Sequence, residues 1–290
     1  MKLLIIDMKD FSLVILLHFL STAYSFCQST DTIKNSTNKK DREYRPAISM
    51  ENPVGGGQLG EVVLGFSYQN KTRISYKDDA SVAVYIGLGD PVKFIGAGMN
   101  VNIFGLTNNF GEKDNIMEGG IDLHLNKLLL DKRLLLDMGV FNPIVWGGNS
   151  YISYQKSWYL SGNYQINTGR SKLFSYFSIT GGLGNGNFRK DSTYTEFKSG
   201  AFEPFFSLAT PLLKNTNLIF EWNGYDLASG ISILASQRMP FMLTCEVTDI
   251  NNGNLRTVVS LSYPICFGKP FKPSFRNIKN IRPVRTIGIK

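Results

Sequence analysis

The stretch TNLIFEWNGYDLASGISIL, residues 216–234, decides the fold class. Asn223-Gly224 sits at its centre, and this pair suits a two-residue type I′ hairpin turn because both central residues need positive φ. Side chains alternate across a strand, so each arm divides into two faces. Leu218, Phe220 and Trp222 share one face, and the turn carries that face on to Tyr225, Leu227, Ser229, Ile231 and Ile233. The opposite face holds Ile219 and Glu221, then Asp226, Ala228, Gly230 and Ser232. One face is apolar with aromatics at the turn end; the other is small, polar or acidic. Both a soluble sandwich and a membrane barrel with a watery interior produce this alternation.

The same period-two pattern recurs through most of the chain. In 93–106, Ile95, Ala97, Met99, Val101 and Ile103 oppose Gly96, Gly98, Asn100 and Asn102. In 119–126, Ile121, Leu123 and Leu125 oppose Asp122, His124 and Asn126, and in 134–141 Leu136, Met138 and Val140 oppose Asp137. Further alternating runs lie at 61–68, 81–88, 158–166, 173–183, 202–210, 241–248 and 256–263, with a less clear one at 151–155. The expected total is about 12 strands, within 10–14. The leucine-rich run 128–136 is divided by Asp131-Lys132-Arg133 and reads as two strand ends and a turn. No segment of helical length keeps a 3.6-residue period.

The polar faces separate the two architectures. The outer face of a soluble sandwich meets bulk water and is usually rich in Lys, Glu and Arg. Here the polar face is mostly Gly, Ser, Asn, Thr and Gln, which suits a confined, hydrated lumen. Charged residues are 19% of the chain, below the usual quarter, while aromatics reach 12%. Spans of about 9–11 residues are long enough to cross a bilayer at a tilt. Trp146, Trp158, Trp222, Tyr225 and Tyr263 lie near strand ends, where interfacial aromatic girdles form. Closure into a barrel also pairs every strand edge, as hydrocarbon requires. The expectation is a transmembrane antiparallel up-and-down β-barrel over residues 59–267.

The ends of the chain have other roles. Residues 1–27 read as a signal peptide, with Lys9 before the apolar run 11–20 and small residues at Ser21, Thr22, Ala23 and Ser25. Residues 28–58 read as a polar periplasmic linker, ending near Gly55-Gly56-Gly57. Residues 268–290 form a basic tail with seven Lys/Arg and no acid. Residues 1–27 carry no net charge, so subtracting the tail's +7 from the formal +8 leaves the middle at +1. An exported chain of this kind makes nucleic acid an unsuitable partner, despite a pI near 9.3. Export plus a barrel places the chain in the outer membrane of a Gram-negative cell. Its expected partners are outer-membrane lipid, lipopolysaccharide and the barrel-assembly machinery. Counting strands back from a periplasmic C-terminus puts Asn223-Gly224 outside the cell.

Several segments carry a resemblance. Gly182-Leu183-Gly184-Asn185-Gly186-Asn187-Phe188, the run 221–227 with Gly230-Ile231-Ser232, and Val247-Thr248-Asp249 with Asn252-Gly253 look like uncharacterised bacterial outer-membrane barrels. Some of these are similar to the YjbH type linked to exopolysaccharide export. That resemblance implies a role in envelope polysaccharide handling.

No residue set reads as a catalytic or metal centre, and no cofactor is expected. The glycine run at 181–187 lacks the following helix that a phosphate loop needs. His124 is the only histidine beyond the leader. With Asp122, Asn126 and Asp137 it is expected to line the lumen, and a lipid hydrolase using His124 is the competing reading. Glu221 and Asp226 are expected to face each other as an acidic pair in the lumen. The leading expectation is a passive channel or transport accessory, with a secreted β-sandwich binding module as a further alternative.

Overall fold

The computed structural model describes residues 44–73, 76–107, 118–130, 133–147, 156–168, 173–190 and 200–267. Within these residues the chain is a closed antiparallel barrel of twelve strands. They are β1 (Glu61–Gln69), β2 (Asp79–Gly89), β3 (Gly96–Phe104), β4 (Glu118–Leu129), β5 (Leu134–Trp146), β6 (Ser157–Asn167), β7 (Tyr176–Gly184), β8 (Glu203–Leu213), β9 (Thr216–Trp222), β10 (Leu227–Leu234), β11 (Met242–Thr248) and β12 (Arg256–Cys266). Each strand pairs with its sequence neighbour, and β1 closes on β12 from Glu61↔Cys266 to Gln69↔Val258. A single closed sheet replaces the two packed sheets of the sandwich alternative. The less clear run at 151–155 falls outside the described residues.

The barrel is polar inside and apolar outside, the reverse of a soluble protein. On adjacent residues of β5, Asp137 is 1% exposed and Met138 53%; on β6, Leu160 is 58% exposed and Ser161 3%. Leu123, Leu125, Ile179, Phe206 and Phe220 stand outward in the same way. Asn100, Asn102, Asn126, Asn163, Thr180, Ser207 and Asn217 are buried inward. The period of two in the sequence produces this two-sidedness directly. Such an exterior is stable only against an apolar medium, since water would otherwise contact many large hydrophobic side chains.

The two rims differ. The joints at 90–95, 130–133, 168–175, 214–215 and 235–241 are short on average, and they share the rim where β1 begins and β12 ends. The opposite rim carries the longer joints 70–78, 105–117, 147–156 and 185–202, together with 223–226 and 249–255. Short turns at one end and longer loops at the other are characteristic of membrane barrels. The 216–234 hairpin turns at the long-loop rim, opposite the end where the strand ladder begins and finishes.

Its register differs from the expected one. Trp222 pairs with Leu227 and Glu221 with Ala228, so the turn centres on Gly224-Tyr225 and not on Asn223-Gly224. Gly224 supplies the positive φ, +89°. Because the shift is by two residues, every side chain on the two strands keeps its face, and only the partners change. A bulge in β5 moves the β4–β5 register between Ile121 and Leu123. There Asn142 adopts φ +51°, and its N–H donates to the Asp122 carboxylate at 2.9 Å.

The largest departure concerns the segment read as a linker. Residues 44–58 lie inside the barrel. Ala47, Ile48, Ser49, Met50, Asn52 and Val54 are all buried. The segment enters at the short-turn rim, where the Tyr44 N–H donates to the Gln237 side chain. It rises past Asn217 to Glu221 and Asn223 near the other rim, then returns past Asp137 and Asn126 to β1. It is a lasso within the lumen, and neither its rise nor its return threads through the far opening.

Candidate lumenal site

The rising limb of the lasso binds the β8–β10 wall through groups that the strand period aims inward. Asn217 Nδ2 donates to the Pro46 and Ala47 carbonyls at 3.2 and 2.9 Å, and the Ala47 N–H donates to Ser232 Oγ at 2.9 Å. At the top of the lasso, Glu221 accepts three donors. The Ser49 hydroxyl and the Met50 N–H reach one carboxylate oxygen, the latter at 3.0 Å, and the Glu51 N–H reaches the other at 2.8 Å. Asn52 Nδ2 then donates to the Phe206 carbonyl, Ser207 Oγ and the Trp222 carbonyl at 3.0–3.2 Å. Ala47, Ile48, Met50 and Val54 pack on Ala209, Ile219 and Met242, with Tyr176 at the edge. This apolar cluster explains why Ile219 occupies an otherwise polar face.

The descending limb passes the β2–β5 wall. Gly56 offers its carbonyl to Asn126 Nδ2. Gly55 has φ +79°, and a Cβ there would lie 2.6 Å from the Asp137 Cβ; Gly57 has φ +111° and is crowded by the Ala97 carbonyl and the Tyr85 hydroxyl. The triple glycine, whose purpose was not evident from the sequence, is what lets the backbone run between these side chains.

That wall is tied together by its own side chains. The Tyr85 hydroxyl and His124 Nε2 are 3.1 Å apart, and His124 Nδ1 lies 2.8 Å from Asp137 Oδ1. Asp122 accepts Asn102 Nδ2 at 2.6 Å and Asn100 Nδ2 at 3.3 Å in addition to the Asn142 N–H. His124, Asp122, Asn126 and Asp137 thus all line the lumen. Tyr85, from the inward face of β2, completes a Tyr–His–Asp chain that spacing along the sequence could not reveal.

The expected acidic pair is separated. Asp226 faces Asn223, whose Nδ2 donates to it at 3.0 Å, and forms a 2.5 Å ion pair with Arg256 Nη2. Glu221, one turn-pair deeper, holds the lasso instead. The two-residue register shift is the physical reason, since it places Ala228 opposite Glu221. Near the same rim, Asn223 Nδ2 also donates to Glu51. Burial beside Asp226 and Glu221 pushes the Glu51 carboxyl up to about 8, with Arg256 and Arg73 opposing the shift. Asp226, in the turn, is also raised by burial, again against Arg256.

At the long-loop rim the turn at Gly186–Phe188, read in the sequence as a loop without phosphate chemistry, packs against β6 and β8. Phe188 stacks on Phe205 at 4.5 Å between centroids, and Phe141 stacks on Tyr159 at 4.9 Å. Arg73 donates to the Asn187 carbonyl at 2.9 Å and to the Arg189 carbonyl, and lies 3.3 Å from the Tyr225 ring centroid.

Tyr225 therefore leaves the expected girdle and turns toward Arg73; burial, then the Glu51 and Asp226 carboxylates, raise its phenol above the ordinary range, with Arg73 and Arg256 opposing. Trp146 and Trp158 are exposed on the outer surface at the long-loop rim, and Trp222 is half-buried at the same rim on β9. Tyr263 packs against Phe241 at 4.6 Å near the short-turn rim.

No family model matches the chain, and no curated protein matches it. Among solved structures, it is similar to one described as the KdgM porin in complex with disordered oligogalacturonate. The TM-score is 0.42 at 10% identity, over 72% of this chain and 99% of that one. The closed ladder and the reversed polarity define the class. This chain folds as a transmembrane β-barrel. Its lumenal surface carries amides and hydroxyls together with the buried carboxylates of Glu61, Glu118, Asp122, Asp137, Glu221 and Glu246, with no group of three or more His, Cys, Asp or Glu placed to hold a metal ion among the described residues.

Proposed function

We propose that this barrel lies in a bacterial outer membrane and passes or handles neutral polar solutes, of the oligosaccharide class. The observation that carries this reading is the composition of the lumen: Asn100, Asn102, Asn126, Asn163, Asn217, Ser161, Ser207 and Thr180 are buried there, while the exterior is apolar. Amide and hydroxyl side chains exchange hydrogen bonds with sugar hydroxyls at little electrostatic cost. A lumen of like charges would select ions instead. A role in envelope polysaccharide handling, as the YjbH-type resemblance implies, is the finer form of this proposal. Outer-membrane lipid and lipopolysaccharide would contact the apolar exterior, and the barrel-assembly machinery would insert it.

The test is solute entry into proteoliposomes containing the purified mature chain. Uptake of neutral oligosaccharides with little preference for small ions supports the reading. Impermeable liposomes containing heat-modifiable, folded barrel contradict it. The lipid-hydrolase alternative draws on the Tyr85–His124–Asp137 chain. His124 faces the lumen and not the lipid, so an ester in the surrounding bilayer does not meet it. Phospholipid hydrolysis by the pure protein that disappears in His124→Ala would reverse that judgement.

A further inference from the structure

We propose that residues 46–52 cover a solute-binding strip on β8–β10, formed by Asn217, Ser232, Ser207 and Glu221, and that the lasso must withdraw before solute passes. The proposal rests on the channel reading and specifies how that channel is controlled.

Three observations carry it. The first is the chemistry of the contact. Glu221 accepts hydroxyl and amide donors from three successive residues, with both carboxylate oxygens engaged. A vicinal diol presents two O–H donors to a carboxylate in the same way, and Asn217, Ser207 and Ser232 offer the flanking donors and acceptors a sugar chain needs. The strip is thus built to recognise an extended polar chain, and the lasso supplies one.

The second is topology. The lasso enters and leaves by the short-turn rim, so it can be withdrawn as a hairpin without unthreading. Its hinge is Gly55-Gly56-Gly57, where the backbone already uses conformations that glycine adopts freely.

The third is fit. Barrels of eight strands are filled by their own side chains, whereas those of sixteen or more leave a channel. At twelve strands the interior is intermediate, and Ala47, Ile48, Met50, Asn52 and Val54 occupy it from the lasso. Removing them opens the path along β8–β10.

The lasso also carries a group that favours release. Glu51 lies among Glu221, Asp226 and Glu246, opposed by Arg256 and Arg73, and beside Tyr225. Its ionisation adds a negative charge to a buried acidic environment and so loosens the tip of the lasso.

The experiment uses the full mature chain, residues 28–290, with Cys245 and Cys266 replaced by serine. Ser49→Cys and Ser207→Cys are introduced together, since the two hydroxyl oxygens lie 3.4 Å apart. Planar-bilayer conductance is read before and after reduction. A silent oxidised channel that conducts on reduction is the expected result. Oxidised protein that conducts as well as reduced protein overturns the plug while leaving the channel reading intact.

A second variant lacks residues 28–54 and is checked for heat-modifiable migration. It should conduct constitutively, and maltohexaose should block its current, with block weakened about tenfold by Glu221→Gln. A folded deletion variant that never conducts overturns the channel reading itself. One that conducts without maltohexaose block, or whose block is insensitive to Glu221→Gln, overturns the solute strip.

Discussion

The two halves of the lumen wall satisfy their polar groups in different ways. On β2–β5, Asp122 serves Asn100, Asn102 and the Asn142 backbone, and His124 bridges Tyr85 and Asp137; the wall is tied largely to itself. On β8–β10, Asn217, Ser232, Ser207 and Glu221 direct their bonds to residues 46–52. A wall bonded to a segment outside the strand ladder can exchange that segment for another ligand. This contrast is why the proposed solute strip is assigned to β8–β10.

The contrast breaks most severely at Glu221. Glu221→Ala orphans the Met50 and Glu51 backbone donors, while the Ser49 hydroxyl keeps the Asn52 carbonyl at 2.7 Å, and each unsatisfied buried group costs about 1–3 kcal/mol. The expected outcome is release of the lasso, read as rapid proteolysis within 46–54 of an otherwise heat-modifiable barrel. Asp122→Ala is the matching change on the other wall. It should lower resistance to urea in detergent by about 1–3 kcal/mol, the usual scale for hydrogen bonds to a charged group, yet leave the lasso protected. Equal loss of lasso protection in both variants would erase the distinction between the walls.

A milder perturbation is pH. Burial and the neighbouring Asp226 carboxylate raise the Glu51 carboxyl from its ordinary value near 4.5 to about 8 in the folded state. A raised carboxyl favours the folded, protonated form, so its contribution is complete below about pH 4.5 and is lost as pH rises toward 8. Protease sensitivity of the lasso should therefore increase between pH 5 and pH 9, and Glu51→Gln should flatten that profile. The smallest expected effect is at the hinge. Gly57→Ala adds a Cβ at φ +111° against the Ala97 carbonyl and Tyr85. It should cost about 1–3 kcal/mol of local strain, seen as faster amide exchange near residue 57 with the barrel intact.

The barrel was legible because its signal repeats. Leu123 and His124, or Leu160 and Ser161, declare their faces by alternation alone, and twelve such runs reinforce one another. Register was less legible. Asn223-Gly224 is a good turn pair, but the Asn223–Asp226 bond and the Asp226–Arg256 ion pair are satisfied only when the turn moves on to Gly224-Tyr225. Arg256 is thirty residues away from Asp226, so local propensity could not weigh it.

The lasso was illegible for a different reason. Ala47, Ile48, Met50 and Val54 follow no helical or strand period, and their burial is created by a lumen that forms elsewhere in the chain. Gly55-Gly56-Gly57 serves close backbone passage here, but a glycine run reads equally well as the end of a linker. Tyr85 was missed because its partners His124 and Asp137 come from other strands.

The central claim is a closed barrel that holds its apolar face to the bilayer. Migration of the mature, membrane-extracted chain on an SDS gel, with and without boiling, tests it most directly. The account predicts that the unboiled protein runs ahead of the boiled protein, because a closed strand ladder resists detergent until heated. Identical migration, with the chain recovered from the soluble fraction, would contradict it.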